Sequence, residues 1–592
     1  MKIIRRSFAV LLALTLAVAA SAQQLPPKDT IIVTATRTEI PINDAIVPVT
    51  VITREQIEQS LASDLAELLR FEAGIDIGRN GGPGQATSIF LRGTESNHTL
   101  VLIDGVRINP GTIGGAAIQN IAPEVIDRIE IVKGARSALF GTDAIGGVIN
   151  IITRRSTRTY AEGGIGGGSF HTRSGFAAGG SRSDNGEFGV SFNWQDTDGF
   201  PVRTGSTLDR GYENMSANLY LQRDLGKNDI SLRHWQAAGT VEYLDFFLGP
   251  LDQDFQNAST AIEILMPVAG RAHSKLILSH VIDDVSQNQS DDFVESRRTS
   301  LDWQYSIAAG NHTWVGGLYL VDETARTLSF GAGFAEDTLV KAVFLEDQWS
   351  NGRHQSFLAV RLTDHETIGN KTTWNAEYAF DLSDRWTING GIGRAFRAPD
   401  ATDRYGFGGN PGLMPEVADE VQLGLRFNPG AGHSVSLELY RNDIEDLIEF
   451  DLFAFQLRNI SRAEIRGSQI AYEYHGNSFD LRANLVHQKA DNATDGVRLL
   501  RRAEDSLTVS LSRDIGIHRI GLSVLASGDR EDFGGLILDS YVLANLTGQI
   551  VLSDKWQLNA RVENLSDEDY ESAAGFRMQE RSGFLELKYS WE

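Results

Sequence analysis

The chain contains no cysteine among its 592 residues. No disulfide can hold its fold, so stability must come from backbone pairing and burial. Long apolar runs are also missing. Beyond the first two dozen residues nothing approaches the roughly 18 apolar residues that a spanning helix needs, and mean hydropathy is −0.20. A helical membrane protein is therefore excluded. A β-barrel is not, because its strands alternate lipid-facing and lumen-facing residues and the average cancels. Positive charge is scarce: 54 Lys and Arg stand against 78 Asp and Glu, a formal charge of −24. Loss of Lys2, Arg5 and Arg6 with a leader would take it to −27. Nucleic-acid binders carry basic surfaces, so no such partner is expected. Most of the acidity reads as solvated surface. Catalytic signatures are absent too. Gly163–Gly168 has no following helix and no lysine to complete a phosphate loop. No nucleophile and base fall at a catalytic spacing, and an enzyme is not expected.

What is present begins with a leader. Lys2, Arg5 and Arg6 precede the apolar run Ser7–Ala20, and Ala20-Ser21-Ala22 has the small-x-small form of a cleavage site. Residues 1–22 are read as a signal peptide, with Gln23 starting the mature chain. The alternative is an N-terminal membrane anchor. From about Asp29 to Arg155 the texture is mixed α/β. Val47–Ile52 reads as a strand, and Thr53 with Gln56 as the capping box of a following helix. Ala62–Leu69 is helical by period, with Leu65, Leu68 and Leu69 on one face. Ser88–Arg92, Thr99–Ile103, Arg128–Val132 and Val148–Ile152 read as strands, the last after a turn-rich stretch at Gly141–Gly147.

After Arg155 short segments alternate apolar and polar residues between Gly, Asn and Asp. Met215, Ala217, Leu219 and Leu221 stand against Asn218, Tyr220 and Gln222. Val435, Leu437 and Leu439 stand against Ser436, Glu438 and Tyr440. Trp556, Leu558, Ala560 and Val562 stand against Gln557, Asn559, Arg561 and Glu563. Such a pattern fits a soluble sandwich or propeller, or a barrel with lipid outside. The last strand decides for the barrel: Leu585, Leu587, Tyr589 and Trp591 share a face, with aromatics where a strand meets the membrane interface. Units of about twenty residues fit roughly 22 strands, the size whose lumen carries a plug.

Several segments carry a family resemblance. They are Ser88–Thr94 (SIFLRGT), Thr99–Asn109 (TLVLIDGVRIN), Ile129–Arg155 (IEIVKGARSALFGTDAIGGVINIITRR), Arg394–Pro399 (RAFRAP), Gly409–Glu416 (GNPGLMPE), Asn459–Gly467 (NISRAEIRG) and Arg561–Tyr570 (RVENLSDEDY). Together they resemble the TonB-dependent outer-membrane receptors over the chain from about Asp29 onward. The resemblance implies a transmembrane antiparallel β-barrel of about 22 strands with an N-terminal α/β plug in its lumen. Its expected parts are a periplasmic tail at 23–40, a plug at 41–155 and a barrel at 156–592. It implies a multi-pass protein of a Gram-negative outer membrane, embedded in outer-membrane lipid and energised by the inner-membrane TonB complex. Within that superfamily Asn80–Ser88 (NGGPGQATS), Leu499–Ala503 (LLRRA) and the short chain are most similar to the cobalamin (vitamin B12) receptor family, the BtuB family. Energised import of cobalamin or a related corrinoid is then expected, with no covalent cofactor and with a periplasmic cobalamin-binding protein downstream. The alternatives are a ferric-siderophore receptor of the same build and a passive porin. The 120-odd plug residues count against a porin.

The segment Asp29, Thr30, Ile31, Ile32, Val33, Thr34 and Ala35 resembles the Ton box. It follows Pro26 and Pro27, and its β-prone alternation suits addition as a strand to a partner's sheet edge. The other reading is the first strand of the plug itself. For the ligand, the glycines of Asn80–Gln85 are expected to admit a bulky molecule close to the backbone. The resemblance assigns contacts to Ala86, Ser88 and Glu95 in the first apical loop region, and to Ile113 and Gly114 in the second. It adds Ser300 on the barrel and an arginine at Arg501 or Arg502. Ala86 and Glu95 depart from the family pattern, which expects a larger apolar residue and an amide there. The family also orders its outer loops with calcium. Asp209, Glu242, Asp245, Asp252 and Asp254 offer hard oxygen ligands, and a solvated acidic loop is the competing reading.

Plug charges are a further expected feature. Arg92, Arg107, Arg128, Lys133 and Arg136 alternate with Asp104, Glu124 and Glu130, which suits polar, ion-paired contact with a polar lumen.

Overall fold

The computed structural model describes residues 31–591 apart from Val33, Thr157, Ala269 and Phe330. The expected leader, and Asp29, Thr30 and Val33 of the expected Ton box, lie outside the described residues.

Alternation along the strands closes a cylinder. Twenty-two long antiparallel strands run from Tyr160–Gly168 to Ser582–Trp591, with the two-residue strand Val497–Arg498 added at one rim. The last strand pairs with the first, from Ala161 opposite Trp591 to Gly168 opposite Phe584, so no edge is left open. Burial is inverted relative to a water-soluble protein. Met215 and Leu221 are 46% and 44% exposed on the outside, while Asn218 and Tyr220 between them are each 2% exposed in the lumen. A belt of outward apolar side chains over a polar interior is what lipid requires. Trp314, Trp386, Trp556 and Trp591 stand exposed at one end of their strands, as interfacial aromatics. That end carries the tight turns, among them 225–228, 309–312, 351–354 and 430–433. The other end carries the long connections 397–416, 527–541 and 563–582. Short turns mark the periplasmic rim and long loops the outer one.

Inside the barrel sits a separate domain. Its five-stranded sheet has the order Val49–Ile52, Ile126–Lys133, Gly147–Thr153, Thr99–Ile103, Val106–Arg107, with one parallel pair at its centre. Ile129, Ile131, Ile149, Ile151, Val101 and Ile103 are buried in its core. Helix α1 (Arg54–Ser60) starts at the expected capping box: Thr53 accepts from the Gln56 amide, and the Gln56 side chain accepts from the Thr53 amide at 2.9 Å. The helix expected over Ala62–Leu69 is shorter, α2 (Leu65–Leu69). Leu61 takes a left-handed backbone and Asp64 caps the new start by accepting from Glu67 N at 2.9 Å, so the period restarts there. The expected strand Val47–Ile52 begins at Val49.

Candidate ligand site and plug anchorage

The first apical loop joins the antiparallel strands Ile75–Arg79 and Thr87–Leu91. Its glycines do not stand open to a ligand as expected. Gly81 and Gly84 hold positive φ, and a Cβ at either would fall on Val202 or on the Tyr212 ring; one at Gly82 would crowd Phe200. Gln85 donates to the Glu242 carbonyl at 2.7 Å. The turn is tucked against the barrel wall, and the glycines admit wall side chains. What the loop presents outward is Ala86, exposed, with Ser88 half-buried.

Arg501 and Arg502 divide the work. Arg501 has a left-handed backbone and is held by Asp532, with both carboxylate oxygens 3.0 Å from Nε. Its stem runs beside Gly78, the cross-strand partner of Ser88, on the same strand pair. Arg502 is buried: Nε donates to the Gly93 carbonyl at 3.1 Å, Nη2 reaches Glu95 at 2.6 Å, and the guanidinium lies 4.5 Å over the Phe90 ring. Glu95, where the family pattern expects an amide, is thus the partner of a barrel arginine.

The second apical loop presents Ile113, which is 54% exposed. Gly114 is buried with positive φ; its amide donates to Pro110 O at 3.0 Å and its carbonyl accepts from Asn109 at 2.8 Å. This loop is stitched to an outer barrel loop that the residue pattern did not single out. Ala401 N and Thr402 N donate to the carbonyls of Gly111 and Thr112 at 3.0 and 2.9 Å. Arg397, buried at the base of that loop, bonds Asp400 at 2.9 Å, Asp403, and Glu416 at 3.3 Å. Glu416 in turn receives plug His98 at 2.6 Å. The signals in the sequence were the segments RAFRAP and GNPGLMPE, which flank this loop and carry no chemistry until the fold places them.

Ser300 is not brought to this face. It sits one lumen-facing position below Arg298, whose guanidinium holds the Asn109 carbonyl at 2.7 Å, and its hydroxyl pairs with Ser279 at 2.6 Å. The acidic residues do not gather either. Asp209 is exposed beside Arg210, and Glu242 accepts from Gly211 N at 3.0 Å. Asp245 accepts from Phe247 N and Gly249 N at 2.8 and 2.7 Å. Asp252 accepts from Asn288 and Asp254 from Thr240. Among the described residues no three such groups form a set that could hold a metal ion. Glu242, Asp245, Asp252 and Asp254 each accept protein donors where they stand, and no shared set of ligands is assembled among them.

The plug is fastened by charge. Arg92 reaches Glu438 at 2.6 Å, Glu420 at 3.2 Å and Gln422 at 3.1 Å, with Tyr440 4.5 Å beneath it. Arg136 bonds Glu377, and Lys133 donates to Gln469 at 2.9 Å. Burial pulls the Lys133 ammonium down to about 8. Other expected plug charges serve the plug itself: Arg107 pairs with Asp143, Arg128 with Glu130 at 2.9 Å, and Asp104 accepts from Thr153 at 2.6 Å.

The described part of the expected Ton box is docked. Ile31–Ile32 pairs with Ile40–Pro41, Ile32 is fully buried, and Ala35 is buried beside it. Thr34 N and Oγ1 donate to Glu130 at 3.0 and 2.6 Å, and Asn150 donates to Oγ1 at 3.0 Å. Arg37 then pairs with Asp302, donates to Leu139 O at 2.7 Å and lies 4.4 Å over Phe344.

Comparison with known proteins agrees over most of the chain. Residues 41–148 match the model described as TonB-dependent Receptor Plug Domain, and residues 151–565 the model described as TonB dependent receptor-like, beta-barrel. The chain is 29% identical over 582 residues to the vitamin B12 transporter BtuB of Vibrio vulnificus, covering 93% of each. It is 29% identical over 601 residues to that of Photobacterium profundum, covering 95% of this chain and 96% of the other. Among solved structures, a ferric enterobactin receptor (PfeA) mutant from Pseudomonas aeruginosa superposes with TM-score 0.80 at 17% identity, over 95% of this chain and all of that one. The siderophore receptor PirA from Acinetobacter baumannii gives 0.77 at 18%, over 92% and 98%. At those identities the structures speak for the fold alone.

Proposed function

Since the chain belongs to the TonB-dependent receptors of the Gram-negative outer membrane, we propose that its cargo is cobalamin or a closely related corrinoid. The observation that carries this reading is the end-to-end match, in both directions, to vitamin B12 transporters. A scarce ligand too large for passive pores must be held tightly, and tight binding means slow release. The outer membrane has no ATP of its own, so release draws on TonB. In this reading Ala86, Ser88, Ile113 and Arg501 touch the ligand. Glu95, Gly114 and Arg502 shape the loops that present those contacts, and Ser300, paired with Ser279 below this face, is left out of the contact set. Residues 29–35 engage TonB by strand addition once undocked, and a periplasmic cobalamin-binding protein receives the cargo.

The test is competition at purified receptor in detergent. Labelled cyanocobalamin should bind and be displaced by unlabelled corrinoid, while ferric enterobactin leaves it in place. Binding of the iron chelate with none of the corrinoid would overturn the cargo assignment. Ile31→Pro or Val33→Pro should abolish energised uptake and leave surface binding intact, because proline removes a main-chain donor from the added strand. Normal uptake by either variant would remove the segment from the coupling site.

A further inference from the structure

The plug is not gripped evenly. From the strand beginning at Asp209 round to the one ending at Asn492, the lumen wall holds it with buried charge. Arg92 with Glu420 and Glu438, Arg136 with Glu377, His98 with Glu416 and Arg37 with Asp302 all lie in this arc. Across strands 505–551 the wall lining this interface is hydroxyl and amide: Ser510, Ser512, Ser523, Asn545 and Thr547. The ion pair made there is wet, with Glu55, the partner of Arg519, 69% exposed. Charge returns on the flanks, where Glu72 meets Arg482 at 3.5 Å on one side, and Lys588 meets Glu58 at 3.3 Å and Arg154 pairs with Glu162 on the other.

The same arc contains a chain of cavities. One of about 260 Å³ opens between α1 and α2 on one side and the strands Asp505–Ile515, His518–Ser527 and Tyr541–Val551 on the other; His475 and Asp480, at the periplasmic rim, border it. A smaller one, about 30 Å³, lies above it under Gly81, Gly82 and Pro83 of the first apical loop. The two share Glu67, Phe71, Asn545 and Glu563, so a single layer of side chains separates them. That layer is braced by Glu67, which accepts from Arg70 at 2.9 Å and Arg79 at 3.4 Å. On the charged arc the comparable cavity under the second apical loop ends on Phe140 and Arg361, with Arg37 packed against Phe140.

We propose that cargo crosses along this uncharged arc, between helices α1/α2 and barrel strands 505–551. Glu67 and Phe71 form the gate, and the wall residues Ser510, Ser512, Ser523, Asn545 and Thr547 form the track. This rests on the importer reading above and specifies its route. An amide-rich, neutral ligand exchanges hydrogen bonds readily with hydroxyl and amide side chains, and leaves no buried charge unpaired as it passes. Pockets for drug-sized ligands run to roughly 300–1,000 Å³, so 260 Å³ cannot pass a corrinoid at rest. The helices must leave the wall, while the charged arc keeps the rest of the plug in place.

Because the chain has no cysteine, two tethers test this in cells. Glu58→Cys with Gln549→Cys, joined by a short bis-methanethiosulfonate bridge, ties α1 to the uncharged wall where Gln549 already donates to the Glu58 carbonyl at 2.9 Å. Asn120→Cys with Asn257→Cys ties the plug to the other arc, where those side chains bond at 2.9 Å. If the unbridged first pair does not support uptake, Gln59→Cys with Thr547→Cys spans the same cavity. The expected result is at least a tenfold loss of energised uptake with the α1 tether, restored by reductant, and less than a twofold change with the other. Uptake through a bridged α1 tether overturns the route, as does equal block by both tethers, which would mean that the whole plug moves. Uptake is read with cyanocobalamin, or with whichever iron chelate the unbridged receptor imports should cyanocobalamin fail. The route and the cargo are thereby judged separately.

Discussion

Replacement of Thr34 by valine should free the docked N-terminal segment by a calculable amount. Valine keeps the β-branched shape and the backbone N–H bond to Glu130 at 3.0 Å, and removes only the hydroxyl. Two bonds go with it: the 2.6 Å donation to the buried Glu130 carboxylate and the 3.0 Å acceptance from Asn150. A hydrogen bond to a charged group is worth about 1.5–3 kcal/mol net. The loss converts to roughly 10–100-fold in the undocked fraction, at about 1.4 kcal/mol per tenfold. The reporter is Ile32→Cys, fully buried while docked, in a chain with no other thiol. Its maleimide labelling rate measures the undocked fraction when opening and closing outpace reaction. Glu39→Cys, on an exposed neighbour, supplies the rate of a free thiol. The double variant should label about 10–100 times faster than Ile32→Cys alone and still slower than the control. Strand addition needs a free main chain, so TonB affinity should rise by the same factor until the segment is mostly undocked. A change below twofold would mean that Thr34 does not hold the segment, and an Ile32→Cys rate equal to the control would mean that it is not docked at all.

Arg92→Met should strand Glu438 and Glu420 in a buried site, a loss of about 3–5 kcal/mol for one broken pair; plug protection from protease in urea should fall accordingly, and an unchanged midpoint would deny the pair any anchoring role. Arg501→Ala should weaken corrinoid binding about tenfold, the equivalent of one charged contact, with plug stability unchanged. Arg502→Ala should lower both, because it removes the contacts to Gly93 and Glu95; equal plug stability in the two variants would break the proposed division. Burial raises the plug carboxyl of Asp76 to about 6. The folded state therefore holds this proton more tightly than the unfolded one, and plug stability should fall as pH rises from about 4 to about 6, then level off. Asp76→Asn should flatten that slope in urea titrations of the plug, and a slope unaltered by the substitution would assign it elsewhere.

The barrel was legible because lipid inverts burial at every second residue, and a period of two survives any register of pairing. Met215 to Leu221 already shows which face meets lipid. The plug strand at Thr99–Ile103 was legible as an apolar run, Arg128–Val132 marked the middle of the observed Ile126–Lys133, and α1 was legible because Thr53 and Gln56 settle its start locally. Ile75–Arg79 was not read as a strand, since Ile-Asp-Ile-Gly-Arg carries only two apolar residues; pairing with Thr87–Leu91 makes it one. Ala62–Leu69 was overextended because period alone cannot see that Asp64 is better used as a cap.

The ligand face was less legible, for a reason that lies in the building plan. A glycine reports only that something comes close to the backbone, and at Gly81 and Gly84 the close neighbours are Val202 and Tyr212, over a hundred positions downstream. Likewise Glu95, His98, Arg397, Glu416 and Arg502 are five separate polar side chains in the sequence. They become one connected system only when the plug enters the barrel: Arg502 meets Glu95, and His98 and Arg397 share Glu416. The outer loop at Ala401–Thr402 is bonded to the plug loop that presents Ile113. A ligand pressing on Ile113 therefore works against a layer whose charges also hold the plug to the wall. Contact at the outer face and release of the plug can then be coupled without any residue that touches both ligand and TonB, and such coupling leaves no motif for a sequence to show.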